Sequence, residues 1–284
     1  MAFRDEKRSL GFWVLALFFA VYVLFLYGPT ITIVTLSFQG PTGGLTFPMN
    51  GVSFHWFVRL FEKQNVGDFA GSIRRSLILG VVVMALTVTI SIAAGLAYRK
   101  NFKGGTPLFY LTMASLIIPS ILISLGIGIM FSQLHWATTW FTSALGAHLT
   151  WTLPFGLLIM FAVFNRFNPS YEEAGRDLGA TAWQNLQHVV LPIIAPSVFG
   201  IALFGFTLSY DEFPRSYLTS GTFNTLPLEI MGMTTSATTP VLYALGTVTT
   251  AISMTVIALC LGTAFAIQRR RLARGGGSDA GKGV

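Results

Sequence analysis

Four charges, Glu172, Glu173, Arg176 and Asp177, fall within six consecutive positions of EEAGRDLGATAWQNLQHVVLPI (172–193), in a chain where only 10% of residues are charged. Whether such a cluster lies on a lipid surface or docks another protein depends on where the stretch sits. A second polar group, SYDEFPR, puts Ser209, Tyr210, Asp211, Glu212 and Arg215 within seven positions directly after an apolar run. Adjacent carboxylates at the mouth of a path attract cations, and the Tyr210 ring offers a cationic amine a further ~0.5–2 kcal/mol. Arg215 stands close enough in sequence to neutralise one carboxylate, which leaves a weaker site suited to zwitterions. Plain solvation of the acidic pair is the bland alternative.

No arrangement for bond-making chemistry accompanies these groups. The histidines His55, His135, His148 and His188 lack ligand spacing and no HExxH occurs, so no metal site is expected. SYDEF contains a Tyr–Asp pair of the kind intramembrane aspartyl proteases use, but without a GxGD companion it cannot supply paired-acid catalysis. Gly276 to Lys282 matches GxxxxGK, yet Gly283 stands where Ser or Thr must hold magnesium. No strand precedes this stretch and one residue follows Gly283, so residues 270–284 are expected to be a flexible basic and Gly-rich tail. The single cysteine, Cys260, forms no internal disulfide. The chain is therefore expected to have no catalytic residue and no cofactor, and not to bind ATP.

The polar clusters are separated by long oily blocks. Hydrophobic residues make up 53% of the chain and its mean hydropathy is +0.66. A run of about 20 apolar residues at ~1.5 Å rise crosses a ~30 Å hydrocarbon layer. Six such runs predict spans near Leu10–Leu36, Leu77–Tyr98, Pro107–Phe131, Ala147–Phe164, Leu191–Tyr210 and Val241–Ile267, the Gly- and Pro-bearing third being the least regular. This is an all-α polytopic membrane protein of one transmembrane domain, residues 1–284. The first run is too long for a cleaved signal peptide and reads as a retained anchor.

Even span number puts both termini on one side. With the 99–106 and 165–190 loops, that side collects Arg4, Lys7, Arg8, Arg99, Lys100, Lys103, Arg166, Arg176, Arg269, Arg270, Arg271, Arg274 and Lys282. Arg59, Lys63, Arg74, Arg75 and Arg215 fall opposite. By the positive-inside rule both termini are cytoplasmic. The pI near 9.8 is thus an orientation signal and not a sign of nucleic-acid binding. Arg74 and Arg75 sit awkwardly at the outer end of span two. The outer acids on this topology are Glu62, Asp68, Asp211, Glu212 and Glu229.

The 165–190 loop then faces the cytoplasm, and its local code predicts two short helices. Ser170 and Glu173 have capping-box spacing behind Pro169, Glu172 and Arg176 are an i,i+4 pair, and Gly179 suits a left-handed helix end. Thr181 and Gln184 form a second capping-box pattern, opening a helix that carries Trp183, Leu186 and Val189. An amphipathic pair lying on the lipid surface is one explanation of this loop, and a docking knob is the other.

The order Glu173-Ala174-Gly175, Gly179, Val189, Leu191-Pro192 resembles the EAA motif, E-A-A-x3-G-x9-I-x-L-P, of permease subunits of bacterial ABC importers. Gly175 replaces the second Ala, which weakens its helix by up to ~1 kcal/mol, and Val189 replaces Ile. SLILGVVVMALTVTISIAAGLAYRK and LSYDEFPRSYLTSG…TLPLEI are similar to the second span and the outer loop of the same family. Together these stretches cover most of residues 70–270, in the style of the polyamine/opine/phosphonate branch. The resemblance implies a type I ABC importer permease fold in the bacterial inner membrane. It further implies a second permease subunit, a separate ATPase dimer that binds the ATP, and an external solute-binding protein. Glu173, Ala174, Gly175, Arg176, Asp177 and Gly179 would form the ATPase-coupling element, with Ser209, Tyr210, Asp211 and Glu212 on the substrate path. A secondary transporter or channel is the competing class, but no Asp, Glu, Lys or Arg lies near a predicted span centre, which disfavours ion coupling.

Overall fold

The structure, a computed structural model, describes residues 9–62, 67–100, 102–236 and 240–275. The basic residues Arg4, Lys7, Arg8 and Lys63 and the 276–284 tail with its GxxxxGK match lie outside the described residues. Regular structure among the described residues is helical: α1 (Leu10–Leu36), α2 (His55–Phe61), α3 (Phe69–Tyr98), α4 (Gly105–Ile117), α5 (Ser120–Gln133), α6 (Ser143–Arg166), α7 (Ser170–Asp177), α8 (Ala182–Asn185), α9 (Leu191–Tyr210), α10 (Leu226–Ser236) and α11 (Val241–Gly275). One isolated antiparallel bridge joins Gln39 and Val52.

Among the described residues, five helices are long and apolar enough to cross a membrane, and α4 with α5 makes a sixth if the bent pair is one span. The first span begins and ends where the hydropathy places it. The third does not run straight: α4 and α5 meet at an angle of 110°. Pro119 is the cause. Its ring pushes the preceding residue out of the helical region, and Ile118 takes φ −70°, ψ 129°. The fifth span starts earlier than hydropathy predicts, because α8 runs into α9 as one helix over Ala182–Tyr210. The join, Leu186–Val190, is π-helical, with the Leu191 N–H bonded to the Leu186 carbonyl. Pro192 follows at once, and its missing N–H leaves the His188 carbonyl without the usual donor, which favours the wider turn.

The chain divides into two compact units, Met1–Asn65 with Met233–Ala251, and Val66–Gly232 with Ile252–Val284. In the first, Gln39 is fully buried and organises the turn after α1, donating from Nε2 to the Gly44 and Thr46 carbonyls and accepting from the Asn50 N–H. The Tyr243 hydroxyl donates to the Leu45 carbonyl at 2.7 Å.

The second unit packs α3, α6 and α9 together. Met160, Phe164, Phe167, Val190, Ile194 and Ile201 make one buried cluster, and Leu79, Val83 and Ala144 another. The buried stripe of α3, including Ser72, Ser76, Gly80, Thr87, Ser91 and Gly95, is made largely of small and hydroxyl residues. In lipid, apolar bulk gives no preference for helix over hydrocarbon, so close approach and hydrogen bonds hold helices together. Thr87 and Thr152 hydroxyls accordingly bond across α3 and α6 at 2.7 Å.

Candidate functional site

At one end of the second unit α7 and α8 form a capped knob. Helix α7 begins at Ser170, whose backbone N–H donates to Asn168 Oδ1 at 3.0 Å. The expected Ser170–Glu173 capping box is not formed; Asn168, two residues before Ser170, supplies the side-chain acceptor at this end instead. The far end follows the sequence expectation. Gly179 has φ +83°, its N–H bonds the Arg176 carbonyl at 2.8 Å, and the Ala180 N–H bonds the Gly175 carbonyl at 3.0 Å. This pair of bonds is a Schellman closure. Thr181 and Gln184 form both bonds of their capping box. Glu173, Ala174, Arg176, Asp177 and Gly179 are exposed, and Leu178 beside them is 90% exposed. Sequence reasoning passed over Leu178, although a leucine between an acid and the closing glycine of a polar helix was a visible signal.

The expected Glu172–Arg176 pair is also replaced. Glu172 instead accepts from both terminal nitrogens of Arg99, each at 2.9 Å. Tertiary geometry overrides helical spacing here because a two-pronged guanidinium–carboxylate contact is stronger than an exposed i,i+4 pair. The Arg99 guanidinium also lies 5.1 Å from the ring centres of Phe164 and Phe167. Gly175 differs from its neighbours on the knob, for it turns inward against Asn185. A Cβ there would stand 2.7 Å from Asn185 Oδ1.

Beyond the other end of α9, residues 211–225 fold back beside the α4–α5 break. Arg215 is 1% exposed. Its Nη1 donates to Ser120 Oγ at 2.7 Å, its Nε to Thr150 Oγ1 at 3.3 Å, and its Nη2 to the Ser115 carbonyl at 3.4 Å. The guanidinium sits 4.5 Å from the Trp151 ring centre and 3.7 Å from Glu212 Oε1. Burial pushes the Glu212 carboxyl above its ordinary range, opposed by the Arg215 N–H and charge. Thr150 lies seven residues into α6, or ~10 Å at helical rise, so this charge is well inside the bundle. The scan of the spans missed it because the residue belongs to no span.

Ser209, Tyr210 and Glu212, expected on the path, instead face the packed interior of this chain. Ser209 Oγ bonds His148 Nδ1 at 2.8 Å, and His148 Nε2 reaches Ser216 Oγ at 2.8 Å. The Tyr210 ring is 5% exposed and stacks on Phe206 at 5.6 Å, so it is not open to an amine. Asp211 alone of the four is exposed. Fold packing explains the difference: α9 turns a continuous face inward until its last residue, and only the residue after it escapes.

The family of binding-protein-dependent transport system inner membrane components matches residues 85–274. The chain belongs to this family. This permease is 29% identical over 245 residues to the spermidine/putrescine transport system permease protein PotC of Haemophilus influenzae, covering 86% of this chain and 93% of that one. Its fold is shared with a bacterial ABC transporter involved in the import of the acidic polysaccharide alginate, with TM-score 0.70, 17% identity, and coverage of 93% and 98%. A second structure, the bacterial alginate ABC transporter in complex with alginate pentasaccharide-bound periplasmic protein, gives TM-score 0.63, 17% identity, and coverage of 92% and 94%. Membership decides between the transport classes: the permease is the membrane-spanning subunit of an importer and not a secondary transporter or channel.

Arg75, which sequence reasoning could not place, now has a role in the permease. Its Nη1 pairs with Asp68 Oδ2 at 2.9 Å and its Nε donates to the Asn224 carbonyl at 2.7 Å. Glu229 accepts from the Asp68 N–H at 2.6 Å and from Asn224 Nδ2 at 2.9 Å. The Arg75 hydrogen bond, with that of the Gly71 N–H, holds the Asp68 carboxyl below its ordinary range. These contacts tie the start of α3 to the loop before α10 and to the first turn of α10 itself. Arg74 stays exposed. Two of the expected outer acids, Asp68 and Glu229, are thereby committed to structure.

Proposed function

We propose that this permease forms half of the translocation path of a polyamine importer, with a second permease subunit as the other half. A separate ATPase dimer docks on the α7 knob, and an external solute-binding protein delivers the substrate. Both termini lie in the cytoplasm, as the bias of Lys and Arg indicates. The observation that carries the docking assignment is the 90% exposure of Leu178, on a knob closed at Gly179 and capped at Thr181. A large apolar side chain held so far from the core, on a rigid element rimmed by Glu173, Arg176 and Asp177, is placed to fill a partner's groove. Rigidity matters because an element that bends absorbs the work it should transmit.

Likeness to PotC supports a polyamine or another amine-bearing solute, and the exposed Asp211 agrees with a cationic substrate. Co-expression with the ATPase and second permease should yield a complex that hydrolyses ATP and takes up spermidine in proteoliposomes. A chain that captures no ATPase while inserting normally would sink the proposal, and a complex indifferent to spermidine would sink the substrate class alone.

Asp211→Asn gives a finer check. It removes the single exposed charge of the SYDEF stretch without touching the Arg215 contacts. Spermidine uptake should fall severalfold while spermidine binding to the isolated solute-binding protein is unchanged. Uptake at the parental rate would make Asp211 ordinary surface charge.

A further inference from the structure

The contacts between the knob and the membrane bundle converge on a few residues. Arg99 is the first residue after α3 and holds both oxygens of Glu172 at 2.9 Å. The guanidinium is backed by the rings of Phe164, near the end of α6, and Phe167, just beyond it. Asn185 closes the arrangement from the α8 side. It is 4% exposed, and its Nδ2 donates to the Glu172 carbonyl at 2.7 Å. Its Oδ1 accepts no conventional hydrogen bond and faces the Cα of Gly175. Glu172 is thus gripped through its side chain by the end of α3 and through its backbone by the helix that becomes α9.

We infer that Arg99, Glu172 and Asn185 are positioning residues that fasten the coupling helix to α3 and α9, and that Gly175 is the glycine this latch requires. The inference rests on the ATPase-coupled reading proposed above. A knob joined only by its loops would rotate when pushed. Fixed at Glu172 from two sides, it moves as one body with two of the three helices that build the packed bundle. Charge assistance and burial under two aromatic rings keep the Arg99–Glu172 contact from being screened away as a surface pair is. The departure from the EAA pattern then has a physical reason. Where the pattern has Ala, a methyl group would meet Asn185 Oδ1 at 2.7 Å, Cγ at 3.2 Å and Nδ2 at 3.4 Å. A retreat of Asn185 from that methyl group would strain its bond to the Glu172 carbonyl. Glycine at 175 gives up helix propensity and gains the latch.

The test is made on the full complex in proteoliposomes, with the ratio of ATP hydrolysis stimulated by the spermidine-loaded solute-binding protein to unstimulated hydrolysis as the readout. Only variants that hold ATPase in the parental proportion are compared, which separates failure of docking from failure of the latch. Glu172→Gln keeps the shape and removes the charge, and should lower the ratio about tenfold, the factor given by ~1.4 kcal/mol. Gly175→Ala should lower it severalfold in the parental background. In an Asn185→Ala background, where the obstructing side chain is gone, the same Gly175→Ala change should have no effect. That non-additivity distinguishes the latch from a general need for glycine. If Gly175→Ala acts equally in both backgrounds, or in neither, the latch is overturned. A Glu172→Gln complex stimulated like the parent overturns the ion-pair part even if the glycine result stands.

Discussion

Replacing Arg215 with Met should lower the apparent unfolding midpoint of the detergent-purified permease by on the order of 10 °C, the shift for a loss of ~3–5 kcal/mol. The side chain is 1% exposed and is bonded to Ser120, Thr150 and the Ser115 carbonyl, with Glu212 and Trp151 against it. Met fills much of the volume but leaves Glu212, itself 8% exposed, as a buried charge without its counter-ion. Removing one partner of such a pair costs more than the pair is worth, because the survivor must be desolvated alone. The double variant Arg215→Met with Glu212→Gln should therefore regain part of the loss. Glutamine retains an acceptor for the Arg215 backbone N–H, which donates to Glu212 Oε1 at 3.0 Å in the native chain. Equal midpoints for the single and double variants would show that Arg215 acts through its bonds to α4, α5 and α6 and not through the carboxylate.

What the sequence could disclose divides along physical lines. Spans, the Gly179 closure and the Thr181 capping box were legible because each depends on residues close together in the chain. Hydrophobic length, positive φ and the reach of a threonine hydroxyl are local properties. The break at Pro119 was half legible: the run looked irregular, but proline alone does not say whether a membrane helix bends gently or turns by 110°. What stayed hidden was every contact between distant positions. Arg99 and Glu172 are 73 residues apart, and Asp68 and Glu229 are 161 apart. Local rules offered Glu172 a partner four residues away and Glu173 a cap three residues back, and folding gave those roles to other groups. The SYDEF stretch misled for a related reason. Its residues were judged by their place at a span end, whereas the loop returns into the bundle and takes Glu212 and Arg215 with it.

Gly179 concentrates the coupling argument in one backbone position. A Cβ added there meets nothing within 4 Å, so space does not forbid a larger residue; the φ of +83° does. A left-handed backbone costs an L-residue roughly 1–2 kcal/mol, and β-branched side chains are the least tolerant. Gly179→Val should therefore insert and assemble but shift the knob away from its closed form by a factor of ~5–30, the range those energies give. The Gly179 and Ala180 N–H groups would lose their bonds to Arg176 and Gly175, and Leu178 would swing off its position. Spermidine uptake by the reconstituted complex should fall accordingly. Asparagine, which visits the left-handed region more readily than other residues with a side chain, should retain the most activity, with alanine next and valine last. That order is the signature of backbone strain. A series that instead tracked side-chain size from alanine to asparagine to valine would point to a steric limit in the ATPase groove. Full uptake in Gly179→Val would remove the ground for treating α7 as the coupling element.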